Sequence, residues 1–158
     1  MKNLRKIALM LAMGALGSLI AIAQAPETPV NPKFDAELAK KLGADERGMR
    51  QYIMCFLKTG PLKVDEAKRA ELMKGHFAMI NHAAEQGKLV LAGPFVEGRE
   101  FRGIYVFDVK TIEEAKAVTE ADPSIKEGYF KVEFIKWYGS AALMPVNDTH
   151  GQIAKKGT

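Results

Sequence analysis

Within residues 50–135, short apolar or alternating runs that are typical of strands take turns with stretches whose apolar residues have helical spacing. The order of these stretches predicts the order of strands and helices. An unbroken apolar run from Tyr52 to Leu57 ends at a Thr-Gly-Pro turn, which is typical of a strand buried on both faces. Asp65 can then cap a helix that runs to about Gln86, before the glycine at position 87. Helical spacing predicts that one side of this helix is buried, the side that carries Ala67, Ala70, Met73, Phe77, Ile80 and Ala84.

The second half of this region contains two more strands, a helix and a last strand. Leu89–Ala92 and Gly103–Val109 are apolar runs separated by a glycine-containing loop. Thr111 begins a second helix through a Thr-x-x-Glu capping box, and this helix ends near Ala121 because a proline follows at position 123. Residues 130–134 alternate between apolar and charged side chains, which predicts a final strand with one solvent-facing side.

The predicted order is strand, helix, strand, strand, helix, strand, which is the order of the ferredoxin-like split βαβ fold. The predicted fold class is therefore α+β, with a four-stranded antiparallel sheet whose first and third strands are central. Both helices cover the same face of such a sheet, so the apolar residues on the other face need a different cover. A second copy of the chain, packed sheet on sheet, would provide this cover, and we expect a homodimer.

The two ends of the chain differ from the central region. Residues 1–23 combine a basic start, an apolar run and an Ala-x-Ala site, which are the features of a cleaved secretory signal peptide. An uncleaved anchor is the alternative, because the run of 17 uncharged residues approaches the roughly 20 that a membrane span needs. Residues 24–50 are predicted to be a linker, proline-rich at first and then a short amphipathic helix around Phe34–Leu42. Residues 144–158 lose periodicity and are expected to be a flexible tail.

We therefore expect an exported protein, periplasmic or secreted, with its domain at residues 51–143 and no stable membrane association after signal cleavage. The net charge of the chain gives no support for a nucleic-acid partner, and none is expected. Three of the 23 basic residues lie in the signal, which leaves 20 basic and 19 acidic residues and a net charge of +1, with no basic cluster among aromatic residues. Cys55 is the only cysteine, and its apolar neighbours favour a small core residue over a nucleophile.

His76 is the strongest candidate for a catalytic histidine, since it lies in the predicted helix that Asp65 caps, next to the apolar side of that helix. It is either a hydrogen-bonded core residue or a proton carrier near neutral pH. Asp122, which precedes a proline, can cap the following backbone amides, and we also expect it to pair with His76. Gly75 costs about 1 kcal/mol relative to alanine in a helix, which indicates a close neighbour there, either a packing residue or a ligand.

Neither a metal nor an organic cofactor is predicted. His76 and His82 are six residues apart, about 240° around a helix, so they cannot bind one metal from one face. The sequence contains no Cys/His cluster for a structural zinc, and its Gly-Pro turns lack the phosphate-loop pattern.

Several motifs resemble the YciI-like (YCII-related) family of small α+β domains. They are His76 at twelve positions, counted inclusively, before Gly87, then KLVLAGPF, then the ADP of Ala121–Pro123 followed by Gly128, and then FKVEFIKWYGSAAL. The segment LGADERGMRQYIMCFLKTGP is similar to an exported subgroup of the family. The resemblance covers about Lys33 to Leu143 and implies a dimeric α+β barrel, in which His76 and Asp122 occupy the positions of the family's proposed active-site histidine and aspartate.

The resemblance implies a cofactor-independent enzyme that isomerises a small organic molecule or eliminates a group from it, with His76 and Asp122 as a proton-transfer pair. Gly93, Pro94, Arg102 and Tyr138 are the residues expected to shape the pocket for this small-molecule ligand. A periplasmic binding or sensing protein without turnover is the alternative, because the chain offers few reactive groups. Haem binding, known elsewhere among dimeric α+β barrels, is a third possibility.

Overall fold

The computed structural model describes residues 31–155 of the chain. The expected signal peptide at residues 1–23 and most of the proline-rich stretch that follows it lie outside the described residues. Residues 31–34 form a turn of their own, in which the Phe34 amide donates to the Asn31 carbonyl at 2.9 Å. The elements of the remaining described residues are α1 (Ala36–Lys41), β1 (Met49–Thr59), α2 (Glu66–Glu85), β2 (Leu89–Pro94), β3 (Phe101–Phe107), α3 (Ile112–Thr119), α4 (Pro123–Lys126), β4 (Phe130–Ser140), a 3₁₀ turn (Ala141–Leu143) and α5 (Val146–Ile153).

The four strands form one antiparallel sheet in the order β2-β3-β1-β4. The prediction of an α+β, ferredoxin-like fold with the first and third strands at the centre is confirmed. Cys55 of β1 lies opposite Tyr105 on one side and Phe134 on the other, so these three residues face the same side of the sheet. Cys55 is fully buried, and burial raises the pKa of its thiol to about 12, as expected for a core residue.

The helices begin where local side chains can satisfy their first amide groups. The Asp65 carboxylate accepts from the Lys68 amide at 2.8 Å, and Thr111 accepts from the Glu114 amide at 3.1 Å. Glu114 in turn accepts from the Lys110 amide at 2.8 Å. Gly87, which follows α2, has a positive φ of 68°, so the predicted glycine stop is confirmed.

The side of α2 that faces the core differs from the predicted one. The buried residues are Leu72, His76, Met79 and Ala83, whereas Phe77 is 53% exposed. The prediction was partly right, since Met73 and Ile80 pack against the core, but the centre of the buried side is shifted by about one residue, onto the line that contains His76. Here the ring of His76 is hydrogen-bonded inside the fold, so the buried side of α2 passes through a polar position.

The other face of the sheet carries a second apolar cluster around Tyr52, Val90 and Val106. The residues after β4 partly cover it, since Leu143 and Met144 pack against this cluster. Helix α5 follows, and the Asn147 side chain donates to the Leu89 carbonyl at 2.6 Å. The sequence analysis predicted a flexible tail at residues 144–158, so the presence of α5 differs from the prediction. Contacts with β2, which the local pattern does not reveal, stabilise this helix.

The segment before the sheet is attached by polar contacts. Asp35 caps α1, and Gly43 ends it with a positive φ of 64°, as the sequence indicates. Arg50 donates to the Leu42 carbonyl at 2.8 Å and forms an ion pair with Asp108. No helix within residues 31–155 is long and apolar enough to cross a membrane.

Candidate functional site

His76 and Asp122 are in direct contact inside the fold. The distance from His76 Nδ1 to Asp122 Oδ2 is 2.7 Å, and the two residues are 7% and 0% exposed. His76 comes from the middle of α2, whereas Asp122 lies between α3 and α4, 46 residues later. The expectation that these two side chains meet is confirmed.

Asp122 also has the local role that its position before a proline indicates. Its Oδ1 accepts from the Ser124 amide at 2.9 Å and from the Ser124 hydroxyl at 2.6 Å, while Oδ2 contacts His76. Burial acts to raise the pKa of Asp122, but the hydrogen bonds from His76 and Ser124 outweigh it, and the pKa lies below the ordinary 3.8. Asp122 is therefore a carboxylate at neutral pH.

The lowered pKa of Asp122 gives the folding stability a defined dependence on acid. Above the unfolded pKa near 3.8 the stabilisation by Asp122 is complete, and it is lost as the pH falls through the lower folded pKa, because the unfolded state then binds more protons. We expect the stability advantage of the wild type over Asp122→Asn to stay constant from about pH 6 to about pH 5 and to shrink as the pH falls from about 4 to about 3. Urea unfolding at these pH values measures it, and an unchanged advantage would contradict the assignment.

Tyr105 and Ser124 complete the cluster, and the sequence analysis missed both. The Tyr105 hydroxyl lies 3.1 Å from Nδ1 and 3.3 Å from Nε2 of His76, and 3.5 Å from Asp122 Oδ2. Burial and the charge of Asp122 raise the pKa of Tyr105, so its hydroxyl stays protonated. A signal was available, since a tyrosine in a buried strand and a serine two residues after a capping aspartate both need polar partners.

The donors and acceptors of the cluster define the tautomer of His76. The Asp122 carboxylate can only accept, so His76 Nδ1 must carry the proton that lies between them. In the neutral ring Nε2 is then the unprotonated nitrogen, and the Tyr105 hydroxyl lies 3.3 Å from it. The arrangement therefore presents a histidine whose Nε2 can accept a proton while Asp122 stabilises the resulting positive charge.

The surroundings of His76 are aromatic and closely packed. The ring centroids of Phe77, Tyr105 and Phe130 lie 5.5, 6.0 and 5.4 Å from that of His76. A Cβ at Gly75 would lie 2.3 Å from Cγ of Pro123, the residue after Asp122. The close neighbour of Gly75 is therefore a packing residue. Residues 31–155 hold no group of three or more His, Cys, Asp or Glu residues that could bind a metal.

The structure brings together three of the four residues predicted to shape the pocket. Gly93 and Pro94 pair with β3 opposite Ile104 and Gly103, beside Arg102. Tyr138 lies opposite Gln51 on β4, and its hydroxyl donates to Asp45.

The position opposite Gly103 on β1 is Leu57, six residues from Gln51. Tyr138 is therefore separated from Arg102 by about 20 Å along the sheet. The hydrogen bonds of His76 go to Asp122, Tyr105 and Ser124 instead.

Comparison with known proteins shows the family of this chain. The family model described as the YCII-related domain matches residues 51–138. The chain belongs to this family. The matched range includes all four residues of the cluster around His76, whereas α1 and α5 lie outside it.

A curated relative of this YCII-related protein is the uncharacterized protein YjpA of Bacillus subtilis (strain 168). It is 26% identical over 89 residues, which cover 56% of this chain and 95% of the relative. The aligned residues therefore make up nearly the whole length of the relative.

Proposed function

We propose that this YCII-related protein is an enzyme that moves a proton on a small organic molecule, in an isomerisation or an elimination, without a metal or organic cofactor. The observation that supports this function is the 2.7 Å contact between His76 Nδ1 and the buried Asp122 carboxylate, which directs the unprotonated nitrogen of the ring to Nε2. A histidine held in one tautomer by a carboxylate is a common general base.

In this mechanism each residue of the cluster has a separate task. His76 Nε2 takes a proton from the substrate and returns it to another atom, or retains it while a leaving group departs. Asp122 holds Nδ1–H and stabilises the imidazolium, and Ser124 fixes the other oxygen of that carboxylate. The Tyr105 hydroxyl lies 3.3 Å from Nε2, so it must move away from this nitrogen when the substrate binds. Gly93, Pro94 and Arg102 remain the proposed pocket residues, whereas Tyr138 lies about 20 Å away along the sheet and cannot line the same pocket.

His76→Gln is expected to lower turnover of an identified substrate by about 100-fold or more, since glutamine can donate and accept hydrogen bonds but cannot carry the proton. A screen of lactones and halogenated ring compounds, followed by NMR of the product, would identify that substrate. His150→Gln is the matched control, because His150 lies in α5 and is exposed. Full activity of His76→Gln would refute the proposal.

A non-catalytic binding or sensing protein is the second candidate, and the burial of the cluster favours it. His76 is 7% exposed and Asp122 is inaccessible, so a ligand reaches them only if the surrounding side chains move. Prolonged incubation of a tightly bound ligand with the protein separates the two candidates. Recovery of the unchanged ligand supports binding alone, and a converted ligand supports the enzyme.

We propose that the protein is a homodimer that buries the sheet face opposite the helices. Ile135 and Trp137 lie on this face and are 45% and 36% exposed. Ile135→Glu is expected to yield a monomer in sedimentation velocity, because it places two charges in an apolar contact. Lys136→Glu is the matched control, since the next residue of a strand points to the other face. A wild-type monomer at about 100 μM, or a dimeric Ile135→Glu variant, would exclude this interface.

Export, as a member of an exported subgroup, is the proposed localisation. It rests on the basic, apolar and Ala-x-Ala pattern of residues 1–23. N-terminal sequencing of the protein recovered outside the cytoplasm should begin at Gln24, and an intact Met1 in that fraction would favour the anchor.

A further inference from the structure

A cleft of about 390 Å³ lies between the second half of α2 and α3. Its apolar lining comes from both helices and from the strand end between them, and includes Met79, Ala83, Val109 and Val118. A volume of this size is at the lower end of the range for small-molecule sites, which are mostly apolar with a few placed polar groups.

One end of this α2–α3 cleft adjoins the cluster around His76. Met79 is three residues after His76 and lies on the same buried side of α2. Ala121 also lines the cleft, and it directly precedes Asp122. Because residues three apart on a helix are neighbours on its surface, the part of the cleft lined by Met79 is next to the position of His76 on α2.

The other end of the α2–α3 cleft is polar and carries an unpaired cation. The Lys88 ammonium group has no ion pair within the part of the chain that the structure describes. His82 also lines the cleft, and its Nε2 lies 2.8 Å from the side-chain nitrogen Nε2 of Gln86. The Glu114 carboxylate also lines the cleft, and it accepts a hydrogen bond from the Lys110 amide. Lys88 is thus available to an anionic group, with His82 as a second polar contact.

We propose that the α2–α3 cleft binds a small amphipathic carboxylate, with its apolar body on Met79 and Val118 and its carboxylate at Lys88. The distance along α2 from Met79 to Gln86 is seven residues, or about 10 Å, which fits an apolar chain of about eight carbons. The end of the ligand away from its carboxylate then lies next to the His76 cluster. The binding itself does not depend on catalysis, but the role of this ligand as a substrate rests on the proposed function.

Octanoate is the test ligand, and 1-octanol is its uncharged counterpart. In methyl and amide NMR titrations of the mature chain, we expect octanoate to shift the signals of Met79, Ala83 and Val118 saturably. Lys88→Gln is expected to weaken octanoate binding about threefold to fivefold and to leave octanol binding unchanged, because an exposed ion pair contributes modestly.

Lys126→Gln is the matched control, since Lys126 lines a separate cleft of about 520 Å³ between α3, α4 and β4. It should leave the affinity for octanoate unchanged. The proposal fails if octanoate at about 10 mM shifts no signal of the α2–α3 cleft, if the shifts lie only on the sheet face around Trp137, or if Lys126→Gln weakens binding as much as Lys88→Gln.

The same titration with His76→Gln separates this proposal from the proposed function. Octanoate should still bind to this variant, because Lys88 and the apolar lining are intact. If octanoate binds in the cleft but His76→Gln turns over substrate normally, the proposed ligand site is supported and the proposed acid–base function is refuted. If turnover needs His76 but octanoate neither binds in the cleft nor competes with the substrate, the function stands and the cleft falls.

Discussion

Asp122→Asn is expected to invert the tautomer of His76 and to lower turnover by about 10² to 10⁴-fold. In the wild type Asp122 can only accept, so Nδ1 carries the proton and Nε2 is free to take another. Asparagine has one oxygen and one NH₂ group. Its oxygen is favoured at the position of Oδ1, where it accepts from Ser124, so its NH₂ group faces Nδ1 of His76. The proton of the neutral ring then moves to Nε2, which can no longer act as a base.

The ring nitrogen signals of histidine measure this inversion directly, because long-range ¹H–¹⁵N spectra distinguish the two tautomers. His82 and His150 provide internal references, since both are exposed. Ser124→Ala is the matched control: it removes the 2.6 Å hydrogen bond to Oδ1 but leaves the carboxylate facing His76, so the tautomer should persist. An unchanged Nδ1–H tautomer in Asp122→Asn would show that another group sets it.

Gly75→Ala is expected to destabilise the fold by about 1–3 kcal/mol and to separate His76 from Asp122. The added Cβ would lie 2.3 Å from Cγ and 2.9 Å from Cδ of Pro123, and a proline ring cannot rotate away. Alanine gains about 1 kcal/mol in helix propensity, so the clash must exceed this gain for the expected result. Urea unfolding at neutral pH measures the net change.

The control for this substitution is Gly151→Ala in α5, where a Cβ would meet no atom within 4 Å. There only the helix propensity acts, and the stability should stay the same or rise by up to about 1 kcal/mol. If Gly75→Ala were as stable as Gly151→Ala and kept the wild-type His76 signals, the contact with Pro123 would not hold the site together.

The strand and helix order could be predicted because its causes are local. The apolar run in β1, the capping residues Asp65 and Thr111, and the glycine at position 87 each act within a few residues, and the structure has the corresponding elements. Much of the candidate site was predicted on other grounds. His76 was singled out from its helical position, but its pairing with Asp122 came mainly from the resemblance to a family, since 46 residues separate them.

The tertiary structure decided what the local pattern could not. The buried side of α2 includes His76, and this is favourable only because Asp122, Tyr105 and Ser124 arrive from other elements to satisfy the ring. Helix α5 likewise depends on contacts with β2.

The sequence by itself therefore determined the four strands, the helices α2 and α3 between them, their order and the fold class, because short-range sterics and hydrophobic periodicity set them. Only the folded chain decided which polar groups could be buried, because the cost of removing each group from water depends on partners that are distant in the sequence.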